Sequence, residues 1–214
     1  MRMLKPNSRQ FKLIKISLFI LACIPFLRLI GFTYLNQLGA NPLEFITRNT
    51  GDWALYLLLI TLSITPLRKL SGWNWLLGLR RMTGLFSFFY ASLHFLAFLW
   101  FDHFFDVEAM LRDVVKRPFI AMGFAAFILL LPLAATSTKK MMGLLGKRWK
   151  TLHQIIYLII IMGLLHFWWM RAGKQNFTQP FIFSGIAFVL LGSRIVLWWR
   201  SKNNQQLATI NSMG

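Results

Sequence analysis

Acidic residues are scarce in this chain: six Asp and Glu in 214 residues, against 24 Lys and Arg. In a soluble protein such a cationic excess points to nucleic acid. Charge as a whole is scarce too, at 14% of residues against roughly a quarter in soluble domains. With 57% hydrophobic residues and a mean hydropathy of +0.55, a soluble basic domain is excluded and no nucleic-acid partner is expected. Cysteine is nearly absent. Cys23 stands alone, which rules out an intrachain disulfide and a cysteine-held metal cluster. No strand-borne G-x-G-x-x-G occurs, so a Rossmann unit for NAD(P)H is excluded, and the Gly143–Gly146 stretch reads as a short loop. Internal repeats, low-complexity tracts and Pro/Ser-rich linkers are missing, so the chain reads as one domain.

What is present is long apolar runs. A membrane-crossing helix needs about 20 mostly apolar residues, and six segments bounded by charge approach that length: Leu13–Phe32, Trp53–Leu67, Met82–Phe101, Phe119–Ala135, Leu152–Met170 and Phe181–Trp199. The second is short and ends at Pro66. Lys12 and Lys15 before an apolar stretch ending Ile20-Leu21-Ala22-Cys23 resemble a secretory or lipoprotein signal, yet the run continues to Phe32 and is read as a retained span. The expected fold is an all-α membrane protein, a six-transmembrane-helix bundle over residues 13–200. It is preceded by an N-terminal segment over 1–12 and followed by a polar, disordered tail over 201–214.

The cations are not spread evenly. The N-terminus carries Arg2, Lys5, Arg9, Lys12 and Lys15; Arg68, Lys69, Arg80 and Arg81 follow span two. Lys139, Lys140, Lys147, Arg148 and Lys150 follow span four, and Arg200 and Lys202 follow span six. These sixteen cations have no acid among them. The alternate loops hold Arg48, Arg112, Lys116, Arg117, Arg171 and Lys174 together with all six acids, Glu44, Asp52, Asp102, Asp106, Glu108 and Asp113. Lys and Arg concentrate on the cytoplasmic side of membrane proteins, so both termini are expected in the cytoplasm. Of the two arginines inside spans, Arg194 lies near the cytoplasmic end, where snorkelling accounts for it. Arg28 lies toward the outer end of span one, as a snorkelling residue or the partner of a cofactor carboxylate.

No Asp or Glu falls in the middle of a span, which weighs against a transporter's proton or cation relay. The spans hold histidine instead: His94 in span three, and His153 and His166 in span five. His103, after Asp102 in an outer loop, reads as solvated. A single intramembrane histidine is usually satisfied by a hydrogen bond to a neighbouring helix. Three in two spans raise the alternative, bis-imidazole ligation of haem iron across a helix bundle. His94 stands thirteen residues beyond Arg81, and His166 sixteen beyond Lys150. That is a depth offset of roughly 4–5 Å, which tilt can absorb, so the two can face one another in the outer half of the bilayer. His153 lies roughly 20 Å toward the cytoplasm, a depth that suits a second redox centre. On an ideal helix its ring is about 140° away from that of His166, and span three offers it no partner histidine; one haem is the firmer expectation. Gly84, Ser87, Ala91 and Gly163 favour close packing near the ligands. Trp53, Trp100, Trp168, Trp169, Trp198 and Trp199 read as interfacial belt.

Ordered motifs then narrow the field. TGDWAL (Thr50–Leu55), TPLR (Thr65–Arg68), RRMTGLFSFFYASLHF (Arg80–Phe95), KRPFIAMG (Lys116–Gly123), PLAATS (Pro132–Ser137), LGKRWKTLHQIIY (Leu145–Tyr157) and then His166 together resemble the MsrQ (YedZ) family. These are haem-binding membrane subunits of the bacterial MsrPQ protein-methionine-sulfoxide reductase system, within the ferric-reductase-like transmembrane superfamily. The match runs in order from about Thr50 to Trp169, whereas the flanking spans match in character only. The resemblance implies a b-type haem protein of the inner membrane, with the family's histidines at His94, His153 and His166. It implies electrons taken from a cytoplasmic flavin reductase or the quinone pool and delivered to a periplasmic molybdopterin subunit, MsrP-like, that repairs oxidised proteins. FMN has been associated with the family, but no residue pattern here locates it. The inner Lys- and Arg-rich loops suit an anionic flavin or donor, and anionic membrane lipids explain them equally well. Two other readings stay open: a stand-alone ferric or quinol-type reductase of the same superfamily, and a histidine-using metal transporter.

Overall fold

The computed structural model describes residues 6–173 and 175–211. Arg2, Lys5 and Lys174, counted above, lie outside the described residues, as do positions 212–214 of the tail. The chain is α-helical, with no strand among the described residues, and six helical stretches are long and apolar enough to cross a membrane. It is a multi-pass membrane protein. Helix α1 (Ser8–Tyr34) starts on a capping box in which Asn7 and Gln10 satisfy each other's backbone N–H. Helix α2 (Pro42–Ser71) begins at Asn41, whose side chain accepts from the Glu44 N–H, and stops at Gly72 in the left-handed region (φ 74°). Helix α3 (Leu77–Ala97) is entered by a 3₁₀ turn at Asn74–Leu76 and left by a π-helical turn at Phe98–Asp102.

The second span is longer than its pattern implies. Glu44, Arg48 and Asp52 interrupt the apolar run, yet they lie on early turns of α2, with Glu44 and Arg48 paired at 2.7 Å. Pro66 does not end the helix either. It lacks the N–H that the Leu62 carbonyl would receive, and Arg194 Nη2 donates to that carbonyl instead at 2.7 Å. Arg194 therefore does not snorkel: it reaches inward to Leu62 and, at 2.6 Å, to the Tyr157 hydroxyl.

Beyond α3, a short amphipathic helix α4 (Val107–Lys116), capped by Asp106, occupies what reads from sequence as loop. Helix α5 (Pro118–Ala135) follows with proline at its first position. Two short helices, α6 (Lys139–Leu145) and α7 (Lys147–Leu152), lead through a 3₁₀ turn at His153–Ile155 into α8 (Ile156–Ala172). Helix α9 (Thr178–Asn211) continues past Ser201, where a disordered tail is expected, as unbroken helix to Asn211.

Cross-helix contacts give the directions. Thr47 meets His94, Ala54 meets Ser87 and Thr61 meets Thr83, so α2 and α3 are antiparallel. Thr136 meets His153 and Phe119 meets His166, so α5 and α8 are too. Phe19 meets Phe86 and Phe26 meets Phe89, which sets α1 parallel to α3. Tyr56 meets Phe183 and Leu62 meets Arg194, which sets α9 parallel to α2. These directions gather the described members of the acid-free cation set at one end of the bundle, the basic end, and the six acids at the other, the acidic end. Helix α2 is the centre. Leu55, Leu58, Leu59 and Leu62 pack on Ala126, Leu130 and Leu133 of α5 and on Ile156, Ile159 and Ile160 of α8. The outer faces stay apolar, as at Phe19, Leu27, Phe188 and Val189, an arrangement that lipid tolerates and water does not.

Candidate functional site

The two antiparallel helix pairs each deliver one histidine to a common cavity. Helix α3 carries His94, whose Nδ1 lies 2.8 Å from the Thr47 carbonyl of α2. Helix α8 carries His166, whose Nδ1 lies 2.6 Å from the Phe119 carbonyl of α5. A carbonyl only accepts, so both rings carry their proton on Nδ1 and keep the Nε2 lone pair available. Among the described residues neither ring makes a further hydrogen bond.

Each acceptor is followed four positions later by a glycine against which the ring lies. A Cβ at Gly51 would stand 3.0 Å from His94 Nδ1, and one at Gly123 2.8 Å from His166 Nδ1. The same device thus appears twice: a carbonyl near a helix start fixes the ring, and a glycine one turn on admits it. Sequence reasoning placed close packing elsewhere. Gly84 faces Thr61 at 3.6 Å, and nothing lies within 4 Å of a Cβ at Gly163. Ser87 instead ties α3 to α2 by donating to the Ala54 carbonyl at 2.8 Å. Gly51 and Gly123 are present in the motifs quoted above, but no spacing rule marks them as ring seats.

The His94 and His166 rings are 6.0 Å apart between centres, with planes at 74°. They line a cavity of about 320 Å³ whose deep wall is apolar, with Leu58, Phe127, Leu130 and Ile159. Its mouth is charged, formed by Arg48, Asp52, Asp102, Arg117 and Arg171 from the acidic end. Two unprotonated imidazole nitrogens beside an apolar wall have the chemistry to ligate one metal centre. Among the described residues, no group of three or more His, Cys, Asp or Glu side chains could hold a metal ion.

The remaining candidates lie apart from this pair. His153 Nε2 is 3.1 Å from the Thr136 hydroxyl, and Trp149 stacks on its ring at 4.0 Å. The 3₁₀ turn there sets its direction, so ideal-helix arithmetic does not apply. His103 is not solvated: its side chain is only 8% exposed. The π-helical turn after α3 and positive φ at Phe104 and Phe105 fold it back onto Phe98 (4.7 Å) and to 3.4 Å from Asp113. Arg28 is exposed over the Phe32 ring and does not reach the cavity. The arginines that do, Arg48, Arg117 and Arg171, sit in the acid-bearing loops and helix ends, where they look like leftovers of the charge count. Trp53 and Trp168 are half-buried and tie neighbouring helices: Trp53 meets Tyr56 and Tyr90, and Trp168 donates to the Ser184 hydroxyl at 2.7 Å.

With this geometry in place, comparison with known proteins is informative. The family model for the ferric reductase like transmembrane component matches residues 50–164. A protein of Herminiimonas arsenicoxydans, named protein-methionine-sulfoxide reductase heme-binding subunit MsrQ, is 62% identical over 207 residues, covering 95% of both chains. Relatives of the same name from Ralstonia nicotianae (48% identical, 96% of this chain and 94% of the relative) and Bordetella pertussis (50%, 92% and 95%) align comparably. No solved structure matches. The facing histidines lie in helices that this match reaches or adjoins, and the chain belongs to the ferric reductase like transmembrane family and, within it, to the MsrQ proteins.

Proposed function

We propose that this chain holds one haem b between His94 and His166 and passes electrons through the membrane from the basic end to the acidic end. The observation that carries the reading is the facing pair of Nδ1-anchored imidazoles in an apolar cavity. The pair fits the group in separation. With about 2 Å from each nitrogen to the metal and about 1 Å from nitrogen to ring centre, two imidazoles on one metal have centres about 6 Å apart, and the rings here are 6.0 Å apart. When bound, haem iron supplies a one-electron couple cycling between ferric and ferrous states.

The chain's own residues do the rest. The Thr47 and Phe119 carbonyls fix the tautomer and raise the basicity of each imidazole. Leu58, Phe127, Leu130 and Ile159 would give the haem an apolar surround and offer it no hydrogen-bonding side chain. His153 has its Nε2 engaged by Thr136, which favours a single haem over a second centre at that depth. The relatives' names carry methionine sulfoxide reduction. By positive-inside reasoning the basic end is cytoplasmic, so the donor is a cytoplasmic flavin reductase or quinol, and the membrane is the bacterial inner membrane. The acceptor is a periplasmic molybdopterin reductase of the MsrP type, which repairs oxidised periplasmic proteins. FMN stays an implication of the resemblance, as none of the described side-chain clusters locates it.

The test is the absorbance spectrum of the purified protein. A Soret band with a six-coordinate low-spin form is expected. His94→Ala and His166→Ala should each abolish it, while His103→Ala keeps it. A chain without a Soret band after expression with ample haem would overturn the reading and leave a metal transporter in its place. Reduction of ferric iron or quinone by the isolated subunit, as fast as transfer to an added molybdopterin subunit, would favour a stand-alone reductase.

A further inference from the structure

The cavity is polarised along the membrane normal. Its deep wall is aliphatic and aromatic, while its five charged lining residues all come from the acidic end. A flat ligand with an apolar body and two carboxylates on one edge can satisfy both parts in one orientation only, with that edge at the mouth. The mouth offers three guanidinium groups, and they differ in what already holds them. Arg48 meets Glu44 at 2.7 Å, and Arg117 makes a two-pronged pair with Asp113. Arg171 is the exception. Its nearest carboxylate, Asp52, is 3.8 Å away, beyond hydrogen-bond reach, and one of its donors goes to the Gln179 side chain at 2.6 Å. Arg171 is also the most enclosed of the three, with its side chain 13% exposed against 31% for Arg48 and 51% for Arg117.

Arg171 follows His166 by five positions on α8, and Asp52 adjoins Gly51, the seat of the His94 ring. The loose Asp52–Arg171 pair therefore spans the two halves that present the histidines. We propose that Arg171 is the residue that binds the carboxylate edge of the cofactor, with Arg48 and Arg117 as flanking cations. This orients the acid edge toward the acidic end, where electrons leave. The inference rests on the haem reading above. A guanidinium offers five donors in a planar fork, so a partner carboxylate and Gln179 can be held together. Asp52, at 3.8 Å beyond hydrogen-bond range, leaves guanidinium donors of Arg171 to the incoming carboxylate.

The experiment compares two porphyrins that present the same iron to the same histidines. Haem-depleted protein in detergent is titrated with iron protoporphyrin IX and with its dimethyl ester, with the low-spin Soret band as readout. The intact chain should prefer the diacid by about tenfold or more, a charge-assisted hydrogen bond being the difference. Arg171→Gln should reduce that preference to about twofold while still forming the low-spin species, Arg171→Lys should keep part of it, and Arg28→Gln should leave it unchanged. Equal affinity for diacid and ester in the intact chain would overturn the assignment, and this arm needs no variant to fold. A full preference surviving in Arg171→Gln would overturn it as well. Failure of both porphyrins to give a low-spin spectrum would instead remove the haem reading itself, and the assignment with it.

Discussion

Two glycines, Gly51 and Gly123, seat the rings of His94 and His166. His94 and His166 are legible in the sequence because a ring nitrogen in hydrocarbon demands a partner and the depth count places both in one half of the bundle. Gly51 and Gly123 are not legible in that way, since membrane helices use glycine for many contacts. Only the tertiary packing shows that a methyl group at either would press on Nδ1, at 3.0 and 2.8 Å. Gly123→Ala should therefore push His166 off the Phe119 carbonyl and weaken haem retention about tenfold, the usual scale for losing a ligand's orienting partner. Gly51→Ala should act in the same direction but less strongly. Gly185→Ala, where nothing lies within 4 Å of the new methyl, should leave retention unchanged. Haem titration of the three variants checks the ordering, and unchanged binding in Gly123→Ala would remove the seat argument.

At the scale of elements, prolines and the side chains that compensate them shape the bundle. Pro25 lies in α1, and beside it the Tyr90 hydroxyl donates to the Ala22 carbonyl at 2.7 Å and accepts from the Phe26 N–H at 3.1 Å. Tyr90 is 1% exposed, so Tyr90→Phe leaves two backbone groups without this partner and should cost about 1–3 kcal/mol, measured by chemical unfolding in mixed micelles. Around Pro66 a double-mutant cycle is more telling. Arg194→Leu strips the Leu62 carbonyl of its donor, whereas in a Pro66→Ala background the helix can supply its own N–H. The penalty for Arg194→Leu should fall by about 1 kcal/mol in that background. Additive effects would show that Arg194 serves Tyr157 alone. A sequence pattern reads Pro66 as a helix end and Arg194 as a snorkelling residue, because the compensating contact joins positions 132 residues apart. Helix α4 escapes the same reading because its ten residues are amphipathic and too few to span.

Across the whole molecule, helix directions turn a charge count into a polarity. The parallel set α1, α3 and α8 and the opposing set α2, α5 and α9 put the acids and the cavity mouth at one end. With Cys23→Ser as background, a cysteine placed at Arg112 should react in intact cells with a membrane-impermeant maleimide, and one at Lys140 should react only after permeabilisation. The reverse pattern would invert the electron path proposed above. Apolar side chains cover the outer faces, so the bilayer rather than a protein core supplies most of the surroundings of α1 and α9.

Local composition sufficed for the six apolar spans, the uneven placement of Lys and Arg, and the two histidines at matching depth. Each is a property of residues near one another in the chain or of their distance from a charged end. Long-range packing alone decided the rest. It carried the Thr47 and Phe119 carbonyls to the ring nitrogens, moved His103 and Arg194 inward, and kept His153 on Thr136. It also brought Arg171 rather than Arg28 to the cavity. These outcomes depend on which helix faces meet, and hydrophobic pattern says little about that when nearly every face is apolar.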